Sequence, residues 1–271
     1  MGTFWEVTSP DKKASQIVFS QASRIEQLLS KYQSDSEISR LNRRGKLKVN
    51  PDTFYLIKKS KEFWKASNGA FDITIAPLAE LWGFTNQKYR LPSNHAIKDT
   101  LRLIGSDKII LRESDNMVEF KLPGMKIDLG AIAKGFALDC AIKKLKENKI
   151  DSCLINAGGQ VYALGDRFGK PWRIAIKNPR NKGITGNLEL KNQSVSTSGD
   201  YEQFFFKDKK RYSHILNPKT GYPADSSIAA ITVIADTGLE ADALSTAIFV
   251  LGKEKTKELL RKFPKAKAKI Y

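Results

Sequence analysis

The stretch KIDLGAIAKGFALD, residues 126–139, decides the reading of the fold, because an extended start gives way at a glycine to a helical pattern. KIDLG reads as a strand and AIAKGFALDCAIKKLKEN, 131–148, as the helix that follows it. Gly130 lets the turn close, and the helix start offers free backbone N–H groups and a positive dipole end to an anion. Lys134 sits one turn in and can reach a phosphate. Gly135 inside a helix costs about 1 kcal/mol relative to Ala, which points to close approach of another group. The segment is neither GxGxxG nor a Walker loop. On its own it supports an anion site and a plain strand–helix connection about equally.

Upstream, residues 14–32 place Ile17, Val18, Ile25, Leu28, Leu29 and Tyr32 on one helical stripe, and Pro51 opens a second helix over 51–66. Pro77 begins a short helix through PLAELWGF, and SNHAIKDTLRLIG is a further helix capped by Ser93 or Asn94. KIILR and MVEFKL are short strands, and MGTFWEV starts the chain on another. From residue 152 onward strands dominate: SCLINA, QVYALG, WRIAIK, NLELK, QSVSTS, EQFFF, RYSHIL and SIAAITVI. LEADALSTAIFVLG and EKTKELLRKF are closing helices before a final strand, KAKIY. Helices grouped among meandering strands predict an α+β fold, largely antiparallel, as one unit over residues 1–271 with two intimate lobes.

The chain is long enough to bury a full core, and no apolar run approaches the roughly 18 residues of a membrane span. No leader segment is visible at the start. A net charge of +17 favours anionic partners: a phosphorylated ligand, an acidic membrane surface or nucleic acid. The tail from Lys253 carries eight Lys or Arg against two Glu, which reads as a solvated helix face, and no nucleic-acid signature accompanies it. Cys140 and Cys153 lack zinc-ligand spacing and fit buried thiols or one disulfide.

Three further segments bear chemistry. In ADALSTA, 241–247, Asp242 and Thr246 stand four apart and share a helix face, two hard oxygen donors suited to Mg²⁺; read alone, they are also an ordinary early-turn charge and a face residue. Ser196, Thr197, Ser198 and Gly199 make a hydroxyl-rich turn. His214 ends a strand beside the polar turn NPKTGYP and suits proton transfer, while His95 on a charged helix is a bystander. Asn42, Asp72 and the Gly-rich turn at 157–159 interrupt apolar structure, and each has a loop-chemistry explanation.

Taken in order, MGTFWEV, YQSDSEISRLN, GAFDITIAPLAELWGF, IDLGAIAKGFALD, INAGG, STSGDYEQFF, HILNPKTGYP and EADALSTAIFVLG resemble the ApbE family of FAD:protein FMN transferases over essentially the whole chain. The resemblance implies a T-fold-related architecture that binds FAD and Mg²⁺, releases AMP and attaches FMN to a Thr or Ser hydroxyl of an acceptor flavoprotein. Matching positions imply FAD contacts at Met1, Tyr32, Ala70, Phe71, Asp72, Asp128, Lys134 and Ala229. They imply a metal held by the Ala131 carbonyl, Asp242 and Thr246, with Ser245 where some relatives carry a further Asp. His214 matches the general base, and Asn42 a position tied to the balance between transfer and hydrolysis. Asn217 departs from the Asp common there, and the chain ends earlier than many relatives. By the same analogy the protein is expected to be exported and membrane-associated, with no nucleic-acid partner. A metal-dependent FAD pyrophosphatase and a flavin-delivery protein without turnover are the competing functions.

Overall fold

Alternation in the C-terminal half resolves into strands whose pairings are all antiparallel. A computed structural model describes residues 3–225 and 227–271. Its main sheet has six strands in the order β1-β5-β6-β9-β12-β13. They are β1 (Trp5–Thr8), β5 (Cys153–Ala157), β6 (Gln160–Leu164), β9 (Gln193–Gly199), β12 (Ala230–Ala235) and β13 (Lys267–Ile270). A three-stranded sheet joins β2 (Lys46–Lys48), β3 (Ile109–Arg112) and β4 (Met117–Phe120). Two ribbons stand apart: β7 (Trp172–Lys177) with β8 (Ile184–Leu190), and β10 (Phe204–Lys207) with β11 (Lys210–Ser213).

The helices are α1 (Lys13–Leu29), α2 (Glu37–Arg44), α3 (Pro51–Ala66), α4 (Ala76–Leu81), α5 (Asn94–Leu101), α6 (Ala133–Glu147), α7 (Gly238–Leu251) and α8 (Lys253–Leu260). Their starts follow from side chains that accept otherwise unpaired N–H groups: Asn50 before Pro51, Ser93 before α5 and Thr237 before α7. Among the described residues, no helix is long and apolar enough to cross a membrane.

One large core cluster draws on α1, α2, α3, α6, α7 and strands of both major sheets, from Ile25 to Ala266. A second packs Ala14 and Val18 of α1 against Leu138, Ala141 and Ile142 of α6 and the inner face of β5. The architecture is α+β, mixed helices with antiparallel sheet.

Three local expectations need correction. Helix α1 stops at Leu29, so Tyr32 lies beyond it and is 70% exposed. KIDLG forms no strand: the Ile127 backbone pairs with the Asn42 side chain, and the Asp128 N–H donates to the Ile73 carbonyl, leaving no ladder partner. Asn42, expected as a polar interruption with loop chemistry, lies within α2, which SEISRLN opens. Ser36 caps that helix and Gly45, at φ 71°, closes it in the left-handed conformation. Cys140 and Cys153 are both free thiols, and burial pushes each up to about 12.

Candidate functional site

The crossing of α6 and α7 places the central groups. Gly135 in the first turn of α6 lies against the backbone of Gly238 and Leu239, and a methyl group there would overlap the Gly238 carbonyl. Gly238 faces Gly135 in the same way, so neither helix start admits a side chain. Asp139, one turn after Gly135, accepts from the N–H of Gly238 at 2.6 Å and of Leu239 at 2.9 Å, fixing the start of α7. This contact brings Asp242 under α6. Its Oδ2 accepts from the Gly135 N–H at 3.0 Å, and its Oδ1 lies 3.7 Å from the Lys134 ammonium.

Asp242 is buried, and burial pushes its pKa up while Lys134 and the Gly135 N–H oppose the move. Beside it the hydroxyls of β9 and α7 interlock. Ser245 Oγ donates to the Asp242 carbonyl at 2.9 Å and pairs with Ser198 at 2.8 Å, and Thr246 lies 3.4 Å from Ser198. The hydroxyl-rich run of β9 thus supplies the wall that α7 packs on.

The opposite wall is the extended segment 126–130. Asn42 grips it with both ends of its amide: Nδ2 donates to the Ile127 carbonyl at 2.9 Å and Oδ1 accepts from the Ile127 N–H at 2.8 Å. The next residue, Asp128, accepts from Lys31 Nζ at 2.6 Å and from the Gly130 N–H at 2.8 Å. Burial acts to lower the Lys31 pKa, but the Asp128 charge and hydrogen bond outweigh it and the net shift is upward. Lys134 bridges the walls, donating to the Gly130 carbonyl at 3.2 Å while facing Asp242.

His214 completes the group. Its Nδ1 lies 3.1 Å from the Gln203 carbonyl, which can only accept, so Nδ1 carries the proton and Nε2 presents a lone pair. Burial lowers its pKa, and the charges of Lys134, Asp128 and Lys31 all act on it. The imidazole is therefore neutral at neutral pH, placed among the groups that would hold an anion.

Other residues singled out from sequence sit differently. Asp72 spends its carboxylate on the N–H and hydroxyl of Thr74 and of Ser106, four bonds between 2.7 and 3.1 Å. It edges a cavity of about 390 Å³ shared with Trp64, Gly69 and Lys219. The Phe71 ring is 1% exposed and packs edge-on to Phe63, so the ring has no face for a ligand; Ala70 beside it is buried too. Ala229 exchanges backbone bonds with Asp200 and Tyr271. The Tyr32 ring lies 5.1 Å from the Lys31 ammonium. Ala131 sits in the turn just before α6, and Met1 lies outside the described residues. His95 is exposed and pairs with Asp99.

Lys31, Gln203 and Asp139 enter the site or its frame without having been singled out from the sequence. Asp139 had a readable signal, since it stands four residues from Gly135 on the same helix face. Lys31 had none, as one cation among 46 Lys and Arg.

Among known proteins, the model of the ApbE family matches residues 1–270. The FAD:protein FMN transferase of Haemophilus influenzae is 32% identical over 268 residues, covering 94% of this chain and 78% of the relative. That of Klebsiella pneumoniae is 35% identical over 258 residues, covering 93% and 80%. The ApbE protein of Thermotoga maritima superposes with a TM-score of 0.91 at 36% identity, covering 99% of this chain and 91% of its own. The apo flavinyl transferase ApbE of Pseudomonas stutzeri does so at 0.88 and 33%, covering 100% and 88%.

Proposed function

The chain belongs to the ApbE family, and we propose from that premise that it transfers the FMN half of FAD to a hydroxyl of an acceptor protein, releasing AMP. The observation that carries the chemistry is Lys134 held between Asp242 and the Gly130 carbonyl at the α6–α7 crossing, with a neutral His214 on which the Lys134, Asp128 and Lys31 charges act. Phosphoryl transfer needs little covalent help from protein; it needs anion stabilisation, alignment and a place for one proton.

Each group has a task. Lys134 and the positive end of α6 hold the pyrophosphate, and Lys134 stabilises charge as it builds on the AMP side. His214 Nε2 accepts the proton of the acceptor Thr or Ser hydroxyl as its oxygen bonds to the FMN phosphorus and the pyrophosphate bridge breaks. The Gln203 carbonyl keeps the imidazole in the tautomer this requires. Asn42 acts through Ile127, setting where Asp128 and its Lys31 partner stand.

The donor set near Asp242 fits Mg²⁺, with one buried carboxylate and the hydroxyls of Ser245 and Thr246, to which the family resemblance adds the carbonyl of Ala131 in the turn before α6. Such a cation would complete its shell with water and phosphate oxygens; among the described residues there is no group of three His, Cys, Asp or Glu that could hold a metal ion. When bound, it would neutralise pyrophosphate charge and polarise the phosphorus.

One assay tests the proposal: incubation with FAD, Mg²⁺ and a soluble flavoprotein acceptor domain, following AMP, free FMN and acceptor mass. Acceptor heavier by one FMN, with AMP in equal amount, is the expected result. AMP and free FMN without adduct would make the protein a pyrophosphatase, and bound FAD with neither product would end both enzyme readings.

A further inference from the structure

The β10–β11 ribbon carries two unlike faces. Phe205 and Tyr212, directly paired, stack at 5.1 Å and turn inward, where Trp82, Phe84 and Tyr89 pack on them. The other face shows Phe204 and Phe206, ring centroids 5.5 Å apart, with the Arg211 guanidinium 4.6 and 5.3 Å from the two centroids. Phe206 is 60% exposed, an aromatic ring turned away from a core that its neighbour joins. Lys207, Lys209 and Lys210 are exposed at the ribbon's turn end, Lys210 with its ammonium 5.8 Å from the Tyr212 ring centroid on the inward side, giving the ribbon four cations against Asp208 alone. The ribbon has only two strands, so each keeps one edge of unpaired backbone among the described residues.

Its position is the telling feature. His214 follows β11 directly, and its N–H and Nδ1 both bond to the carbonyl of Gln203, the residue that precedes β10. The base of the ribbon therefore holds the imidazole, and the outer face extends from it. Arg211 also pairs with Asp200 at 3.3 Å, and Asp200 takes both guanidinium nitrogens of Arg180 from the β7–β8 turn, so this face is braced where it meets the second ribbon.

We infer that the outer face of the β10–β11 ribbon, with its turn, is the docking surface for the acceptor protein, an extended segment of which lies along it with an apolar side chain on Phe204 and Phe206 and carboxylates toward Lys209 and the other cations at the turn. The inference rests on the transfer reading above. It follows from continuity with His214, from the excess of positive charge and from the open strand edges, which suit an extended partner. Charges at the rim act mainly on encounter, so weakened docking appears in the acceptor KM and in its salt dependence.

The test uses the full chain and the acceptor domain that it modifies in the mass assay. Phe206→Ser combined with Lys209→Glu, and Lys209→Glu alone as a milder second variant, leave Phe205 and Tyr212 of the inward face unchanged. In the double variant the acceptor KM should rise at least about tenfold, with kcat at saturating acceptor and FAD affinity within about threefold of the parent. The single variant should raise the acceptor KM by a smaller factor that shrinks at high salt. An acceptor KM within twofold of the parent in both variants would overturn the assignment. So would loss of binding to anionic phospholipid vesicles with the acceptor KM unchanged, which would make the ribbon a membrane contact. If the parent chain modifies no acceptor, the transfer reading itself has failed, a result separate from either.

Discussion

His214 shows how one hydrogen bond sets a reaction's pH range. The Gln203 carbonyl fixes the proton on Nδ1, and burial lowers the ring's pKa from its usual 6.5. Falling pH protonates Nε2 and removes the base, so the acid limb of acceptor modification should inflect below pH 6.5. A limb above that value would show that another group titrates. His214→Ala should lower transfer by about 10²- to 10⁴-fold while FAD still binds; equilibrium binding and acceptor mass together check it, and a variant that modifies at the parent rate excludes the histidine as base. Asn42 acts at one remove. Asn42→Ala deletes both bonds to Ile127, each worth about 1 kcal/mol, and frees the segment that carries Asp128. The expected outcome is a higher KM for FAD with a smaller change in kcat, and a kcat loss at unchanged KM would place Asn42 on the reacting atoms instead.

The α6–α7 crossing is the element on which the site depends, because two glycines let backbones touch where side chains would hold them apart. Gly135→Ala should destabilise the fold by at least about 2 kcal/mol, the upper range of overpacking, since the obstacle is backbone rather than a movable side chain. Chemical denaturation measures it, and a change under 0.5 kcal/mol, about the scatter of a surface substitution, would mean that the helices separate freely. Asp139 adds a pH dependence to the same joint. Burial raises its pKa from 3.8 to about 7, against the two N–H groups it accepts. An acid with a raised folded pKa holds the extra proton in the native state, so stability falls as pH rises between those two values, by at most about 1.4 kcal/mol per unit. Asp139→Asn removes this slope and also one acceptor for the α7 start, so it should be less stable overall yet less sensitive to pH. Denaturant midpoints of both proteins at pH 5 and 7.5 decide the matter; equal slopes would show that Asp139 does not titrate there.

Across the whole molecule, what the sequence made legible was periodic and what it hid was long-range. Residues 51–66 announced a helix through Pro51, and β5 to β12 stood out as a succession of short strands. KIDLG looked like a strand because its apolar pattern is strand-like, but the partners that settled its conformation were the side chain of Asn42 and the carbonyl of Ile73, remote in sequence. Asp72 had only a loop-chemistry reading of its own, and its bonds to Ser106, brought over by the chain after α5, were not legible. Lys31 could not be read at all, because only the fold brings it to Asp128, 97 positions later.

That long-range assembly has a consequence for stability. The site's halves, residues 31–42 with 126–135 and residues 196–214 with 242–246, are joined by the core that runs from Ile25 to Ala266. A ligand that touches both halves binds only the folded chain, and it should raise the unfolding temperature by mass action. FAD at 100 times its dissociation constant should contribute about 2.7 kcal/mol. Added Mg²⁺ should give a further shift in the parent chain and little in Asp242→Ala, which keeps Lys134 but loses the buried carboxylate. Thermal scans with FAD, with Mg²⁺ and with both measure the terms separately. An unchanged Mg²⁺ increment in Asp242→Ala would move the metal away from α7, whereas loss of the FAD increment alone would show that Asp242 serves the nucleotide.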